Sequence, residues 1–129
     1  MSDHITIGAG ALSETIMAIL EEYGDKATEV IREEAPKAAK KAAKELRATS
    51  PTRFGGYARG WTVQSRETTL GAYAAAYNSR FPGLPHLLEF GHALRNGGRS
   101  RAIVHIAPVN EAAQKEYLEA VRKGLGNIS

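Results

Sequence analysis

The run from Asp25 to Thr49 constrains this chain more than any other part of it. Apolar residues at Ala27, Val30, Ile31, Ala35, Ala38, Ala39, Ala42 and Leu46 keep one helical period throughout. The segment 25–50 therefore predicts a long amphipathic helix, opened by Asp25 and ended by Thr49-Ser50-Pro51. Pro36 lies inside it, removes one backbone hydrogen bond and crowds the preceding turn, so a kink or break is expected near Ala35. Acidic residues precede Pro36 and basic ones follow it, which is the arrangement the helix dipole favours.

A shorter helix is expected before it, in the region 1–24. Ser13 can cap that helix, Glu14 sits in its first turn, and Gly24 stops it after Tyr23. Beyond the long helix the periodicity changes. Trp61 to Arg66 alternates, and Thr69 to Asn78 places Leu70, Ala72, Ala74 and Ala76 in one register with Tyr73 and Tyr77 in the other. These read as a β-hairpin turned at Glu67-Thr68-Thr69. A third strand is expected at Ala102 to Ala107, within a sheet region spanning 57–107. A last helix over 109–124 follows Pro108, with Val109, Ala113, Tyr117, Leu118 and Val121 inward and Gly124 as its stop. The sum is one α+β domain over 1–129: long N-terminal helices and a C-terminal helix packed on a three- to four-stranded antiparallel sheet.

Length suits a single domain, since 129 residues at 43% hydrophobic supply one core. That core is small, because there are only nine aromatics and alanine makes up much of the apolar fraction. Neighbouring subunits can make up the shortfall. With no cysteine, disulfides and thiolate metal sites are excluded, and a reducing compartment suits everything present. Nothing at the start reads as a leader and no window is apolar enough for a membrane span, so a soluble, cytosolic chain is expected.

The net charge of +3 conceals a separation of charge. Residues 1–34 hold eight acids against Lys26 and Arg32, whereas residues 35–105 hold twelve arginines and lysines against Glu45, Glu67 and Glu89. Lys37, Lys40, Lys41 and Lys44, with Arg47, put a basic patch on the long helix. Such a face can bind nucleic-acid phosphates by charge alone, which gives one reading: a small basic nucleic-acid-binding protein. It can equally meet the acidic N-terminal segment of a second copy.

Catalytic chemistry finds little footing. The chain has no cysteine nucleophile, no Gly-x-Ser-x-Gly elbow and no phosphate-binding glycine loop, so neither an enzyme nor a cofactor is expected. His86, Glu89 and His92 are spaced three apart with His105 beyond, the one arrangement that invites a metal. Pro85 before and Gly91 after argue against a regular helix presenting all three. Glu89 is the only acid between Thr68 and Val109, among Arg80, Arg95, Arg99 and Arg101. An isolated carboxylate among arginines suits a charge-assisted pair. The opposite expectation is an ordinary solvated glutamate.

The order of the motifs carries a resemblance. A long alanine-rich helix ending in Thr-Ser-Pro is followed by Gly56-Tyr57-Ala58-Arg59-Gly60 and an alanine and tyrosine strand. Leu84-Pro85-His86-Leu87-Leu88-Glu89-Phe90-Gly91, a glycine-rich loop, His105-Ile106-Ala107-Pro108 and a closing helix complete it. Over roughly residues 25–124 the chain resembles the tail-completion family of siphophages, also described as minor tail, head-tail joining or neck proteins. The resemblance implies a virion protein assembled in the host cytoplasm into a homo-oligomeric ring, typically a hexamer. It implies neighbouring connector, tail-tube or tail-terminator proteins, genomic DNA passing through the channel, and no membrane. Arg59, Glu89, Phe90, Gly91 and Pro108 would be its structural or interface positions, with Arg59, the arginine of the matched pre-strand motif, as the expected partner of Glu89. The segments Arg53 to Gly60 and Asn96-Gly97-Gly98-Arg99-Ser100-Arg101 would be mobile loops that order when the next ring docks.

Overall fold

A computed structural model describes residues 4–8, 14–52 and 55–126. The elements in chain order are β1 (Ile5–Gly8), α1 (Glu14–Tyr23), α2 (Asp25–Thr49), a 3-10 turn (Ala58–Gly60), β2 (Trp61–Thr68), β3 (Gly71–Asn78), α3 (Leu84–Phe90) and α4 (Ile106–Gly126). Helices packed on a three-stranded antiparallel sheet make the expected α+β architecture. Among the described residues no helix is long and apolar enough to cross a membrane.

The long helix forms because its periodic stripe has a sheet to cover. Ala27, Val30, Ile31, Ala35, Ala39, Ala42, Ala43 and Leu46 are all buried on α2. Opposite them lie the inward residues of the sheet, Ile5, Ile7, Ala72, Ala74 and Ala76. The alanines on both surfaces keep the contact shallow and let helix and sheet approach closely. α2 runs unbroken through Pro36, so the expected break does not occur. Gly24, with φ of 56°, forms the whole connection between α1 and α2, and Asp25 is the first helical residue with no side-chain cap. Ser13, the expected cap of α1, lies outside the described residues.

Two arginines of α2 fasten the hairpin at its two ends. Arg32 donates from Nε to Gly71 O at 3.0 Å and from Nη2 to Thr68 O at 2.9 Å, holding the turn. Arg47 donates to Trp61 O at 2.7 Å, holding the first residue of β2. The turn is displaced from its expected place, since Thr68 pairs with Gly71 and only Thr69 and Leu70 lie between.

The sheet order is β1-β3-β2, so its third strand comes from the N-terminus and not from 102–107. β1 pairs antiparallel with β3, Ile5 opposite Ala76 and Ile7 opposite Ala74. The sheet thus comprises 5–8 and 61–78, and the expected 57–107 region is only partly sheet. Residues 101–105 run without regular pairing, and α4 starts at Ile106 instead of 109. It also passes through Gly124, the expected stop, to Gly126. α4 packs antiparallel on α2 through Val109, Ala113, Tyr117, Val121 and Leu125. Lys41 meets Glu116 at 2.7 Å, and Gly124 lies against Val30.

Candidate functional site

Leu84 to Gly91 folds as the helix α3, despite the proline and glycine that argued against one. Pro85 occupies its first turn, where a missing N–H costs nothing, and Gly91, with φ of 73°, ends it. A Cβ on Gly91 would stand 2.6 Å from Ser100 O, so only glycine admits the returning chain there. The short helix points Pro85, Leu88 and Glu89 inward and leaves His86, Leu87 and Phe90 exposed.

Glu89 is only 4% exposed and has no arginine partner among the described residues, which overturns both the Arg59 pair and the solvated glutamate. Its Oε1 accepts the backbone N–H groups of His105 at 2.7 Å and Ile106 at 2.9 Å, and its Oε2 accepts that of Ala107 at 2.9 Å. A carboxylate thus caps the first turn of α4 from another helix, satisfying donors that a helix start leaves open. Burial alone would raise the pKa of Glu89, but the three N–H bonds and the adjacent His105 outweigh it and hold the carboxyl below its ordinary range. This cap is also why 102–107 is not a strand: the β-prone sequence yields at residue 106 to a helix whose donors are already satisfied. Pro108 falls in that first turn, where no N–H is needed.

His105 extends the cluster. Its Nδ1 lies 2.7 Å from Ile103 O, which can only accept, so Nδ1 carries the proton; the same atom is 3.1 Å from Glu89 Oε1. Nε2 is then the acceptor for the Tyr57 hydroxyl at 2.7 Å. Tyr57 packs edge-on to Trp61, whose indole N–H donates to Ser50 Oγ at 2.8 Å, while Asn78 donates to Tyr57 O at 2.7 Å. A tyrosine, a histidine and a carboxylate in a row invite comparison with a catalytic triad, but the tyrosine at its head is 1% exposed. Burial also pushes the Tyr57 pKa up, the reverse of activation. The cluster joins the end of α2, the 55–60 segment, α3 and α4, and its role is to hold them together. The sequence singled out Glu89 and His105 for their chemistry, whereas Tyr57 and Ser50 stood only within longer motifs and Asn78 only as a strand end.

The other expected residues are dispersed. His86 tilts against Phe90 at 5.1 Å between ring centroids, and His92 contacts Ser100 Oγ at 3.2 Å, so neither converges on Glu89. Among the described residues no group of three ligating side chains could hold a metal. Of the basic face of α2, Lys37 pairs with Glu33 at 3.3 Å and lies 3.7 Å from Glu34, Lys41 pairs with Glu116, and Arg47 donates to the Trp61 carbonyl. Lys40 and Lys44 remain exposed. The segment 94–100 is a closed hairpin turn and not an open loop. Leu94 donates to Gly98 O at 2.7 Å, Ser100 donates to His92 O at 2.8 Å, and Asn96 Oδ1 accepts from Gly98 N at 3.0 Å. Ala93 bridges Arg99 across it. Arg53, at the head of the other expected mobile segment, lies outside the described residues; at its far end, Arg59 stands beside Arg80, both guanidinium groups within 4 Å of the place a Cβ would take on Gly56.

What α3 and the following turn present outward is apolar. Among the described residues eight large hydrophobic side chains are exposed, and five fall here: Phe81, Leu87, Phe90, Leu94 and Val104, the last 61% exposed. Between them runs a groove of about 270 Å³ floored by Leu84, Leu87, Leu88 and Ile103 and edged by His92, Ser100 and Arg101. Arg101 at its edge, and Arg95 and Arg99 in the adjoining turn, are exposed and have no ion pair among the described residues. With Glu89 buried, residues 69–108 offer no carboxylate at the surface. No family model, curated protein or solved structure matches the chain.

Proposed function

We propose that this chain is a structural assembly subunit that associates with copies of itself into a ring, and that its place is the neck of a long-tailed phage, completing the tail or joining it to the head. The observation that carries the assembly reading is the surface of α3 and its following turn. A chain short of large apolar side chains for its own core leaves five of them exposed over 24 residues, ringed by arginines that have no partner among the described residues. A surface of that composition is made to be covered. The buried Glu89–His105–Tyr57 cluster beneath it gives the surface a rigid base.

The phage assignment rests on the order of the motifs, and the arrangement of those motifs supports it. Glu89 of the Glu-Phe-Gly triplet and the His105-Ile106-Ala107-Pro108 segment meet in one cluster, with Tyr57 of the glycine and arginine segment as the third member. Residues that identify the resemblance are thus those that fix the outward face of α3. In this reading the protein is not an enzyme and works mechanically, leaving a channel through which DNA passes.

A nucleic-acid-binding protein is the second reading, and Arg59 beside Arg80 favours it. Two guanidinium groups drawn together without a carboxylate among the described residues would take a phosphate. Measuring the mass of the purified protein at several salt concentrations, with and without duplex DNA, separates the two. Assembly predicts a closed oligomer that forms without DNA; a monomer that binds duplex DNA and does not self-associate would overturn it.

A further inference from the structure

The acidic N-terminal end needs a basic surface to meet. On α2, Lys37 and Lys41 are already paired and only Lys40 and Lys44 remain, whereas Arg95, Arg99 and Arg101 beside the α3 groove are all without an ion pair among the described residues. α1 carries the complementary set. Glu14, Glu21 and Glu22 are exposed and have no ion pair among the described residues, and Met17 exposes an apolar side chain between Glu14 and Glu21. Ile16 and Ile19 are buried and Leu20 packs partly against the core, which leaves the side of this helix that carries Glu14, Met17 and Glu21 exposed. An acidic helix face that carries an exposed methionine matches an apolar groove with a basic edge.

The two surfaces lie at opposite ends of the molecule. α1 adjoins the start of α2 and, through Ile19 and Tyr23, the end of α4 near Leu125. α3 sits over the start of α4, where Glu89 caps it, beside the end of α2. The 25 residues of α2 that separate them span roughly 37 Å at about 1.5 Å per residue. A helix at one end cannot reach a groove at the other within the same chain. Contact between two copies therefore joins opposite ends; repeated head to tail, as the ring reading requires, it closes into a ring or runs on as a filament.

We infer that the occupant of the α3 groove is α1 of a second copy of this chain, with Met17 on the apolar floor and Glu21 and Glu22 against Arg99 and Arg101. This contact rests on the ring reading above and specifies the surfaces that would make it.

Sedimentation of four proteins at low and high salt tests it: the unaltered chain, Glu21→Lys/Glu22→Lys, Arg99→Glu/Arg101→Glu, and the variant carrying all four changes. All four positions are exposed, and unchanged circular dichroism checks that each variant folds. The unaltered chain is expected to form an oligomer that weakens with salt, and each double variant to associate at least roughly tenfold more weakly. In a mixture of the two double variants, the α1 made basic meets the groove edge made acidic, and the unaltered α1 of the second meets the unaltered groove of the first. Association therefore returns in the mixture as alternating copies, and the four-change variant recovers it alone. Leu87→Asp, which places a charge on the groove floor, is expected to remain monomeric whatever the salt. An oligomer indifferent to all these changes overturns the α1–α3 contact and leaves the ring reading standing. A chain that stays monomeric, alone or with duplex DNA bound, overturns both.

Discussion

A carboxylate buried under three main-chain N–H groups behaves as part of the backbone, and Glu89 is the residue on which the outward face of α3 depends. Glu89→Ala would leave those donors unpaired in the interior. The expected cost is on the order of 3 kcal/mol, read as a lowered urea midpoint. A variant as stable as the parent would mean that the start of α4 needs no cap. Because folding holds the Glu89 carboxyl below its ordinary value of 4.5, its contribution is complete above that pH and is lost as pH falls through the lower folded value. Acid titration should therefore destabilise the parent below about pH 4.5 and Glu89→Gln less steeply. Tyr117 is the converse case. Its buried hydroxyl has no partner among the described residues, and burial pushes its pKa up to about 12. Tyr117→Phe removes an unsatisfied group, so the same urea titration should show no loss and a gain of up to about 1 kcal/mol. The isolation of Glu89 was legible in the sequence, whereas its partners were not. Main-chain donors 16 to 18 residues away leave no mark in residue type, and an arginine is what composition offers instead.

At the scale of elements, period decided what could be read. The stripe on α2 and the alternation in β2 and β3 gave those three elements nearly in place, because each buries one face against the other. Two elements went the other way for a shared reason. Ala102 to Ala107 has strand-forming residues and 84–91 is bracketed by proline and glycine, yet Glu89 on the second caps the helix that begins within the first. A contact between them overrode the local preference of both. Gly124 was expected to stop α4 and instead lets it lie against α2, where a Cβ would stand 2.8 Å from Val30 Cγ1. Helix propensity and packing make opposite predictions here. Replacing glycine within a helix gains up to about 1 kcal/mol from propensity, while a larger side chain forced against stiff, buried Val30 costs about 1–3 kcal/mol. Gly124→Leu is expected to lose stability on thermal unfolding, with packing prevailing. A raised melting temperature would show that α4 has room to move away.

For the whole molecule, the fold class was readable but the closure of the sheet was not. β1 has four residues, too few to establish a period, and its partner β3 lies about 70 residues along the chain. Its weight in the fold is larger than its length. Ile5 and Ile7 are fully buried under α2 and α4, and Gln114 of α4 donates to Thr6 O at 2.8 Å, tying the strand from the other side. At about 1.5–3 kcal/mol for each large aliphatic side chain buried, two isoleucines alone contribute about 3–6 kcal/mol. That approaches the whole net stability of a small domain, on the order of 5–15 kcal/mol. Removing residues 1–9 should therefore abolish the cooperative urea transition and the near-ultraviolet dichroism of buried Trp61, although α2 and α4 retain helical signal. A synthetic peptide of residues 1–9 added to the shortened chain should restore both, since the edge of β3 that it pairs with would be open. If the shortened chain keeps its transition midpoint, the hairpin and helices suffice and β1 is not a structural part of the domain. If the peptide restores the transition, the first nine residues close a core that the other 120 cannot complete.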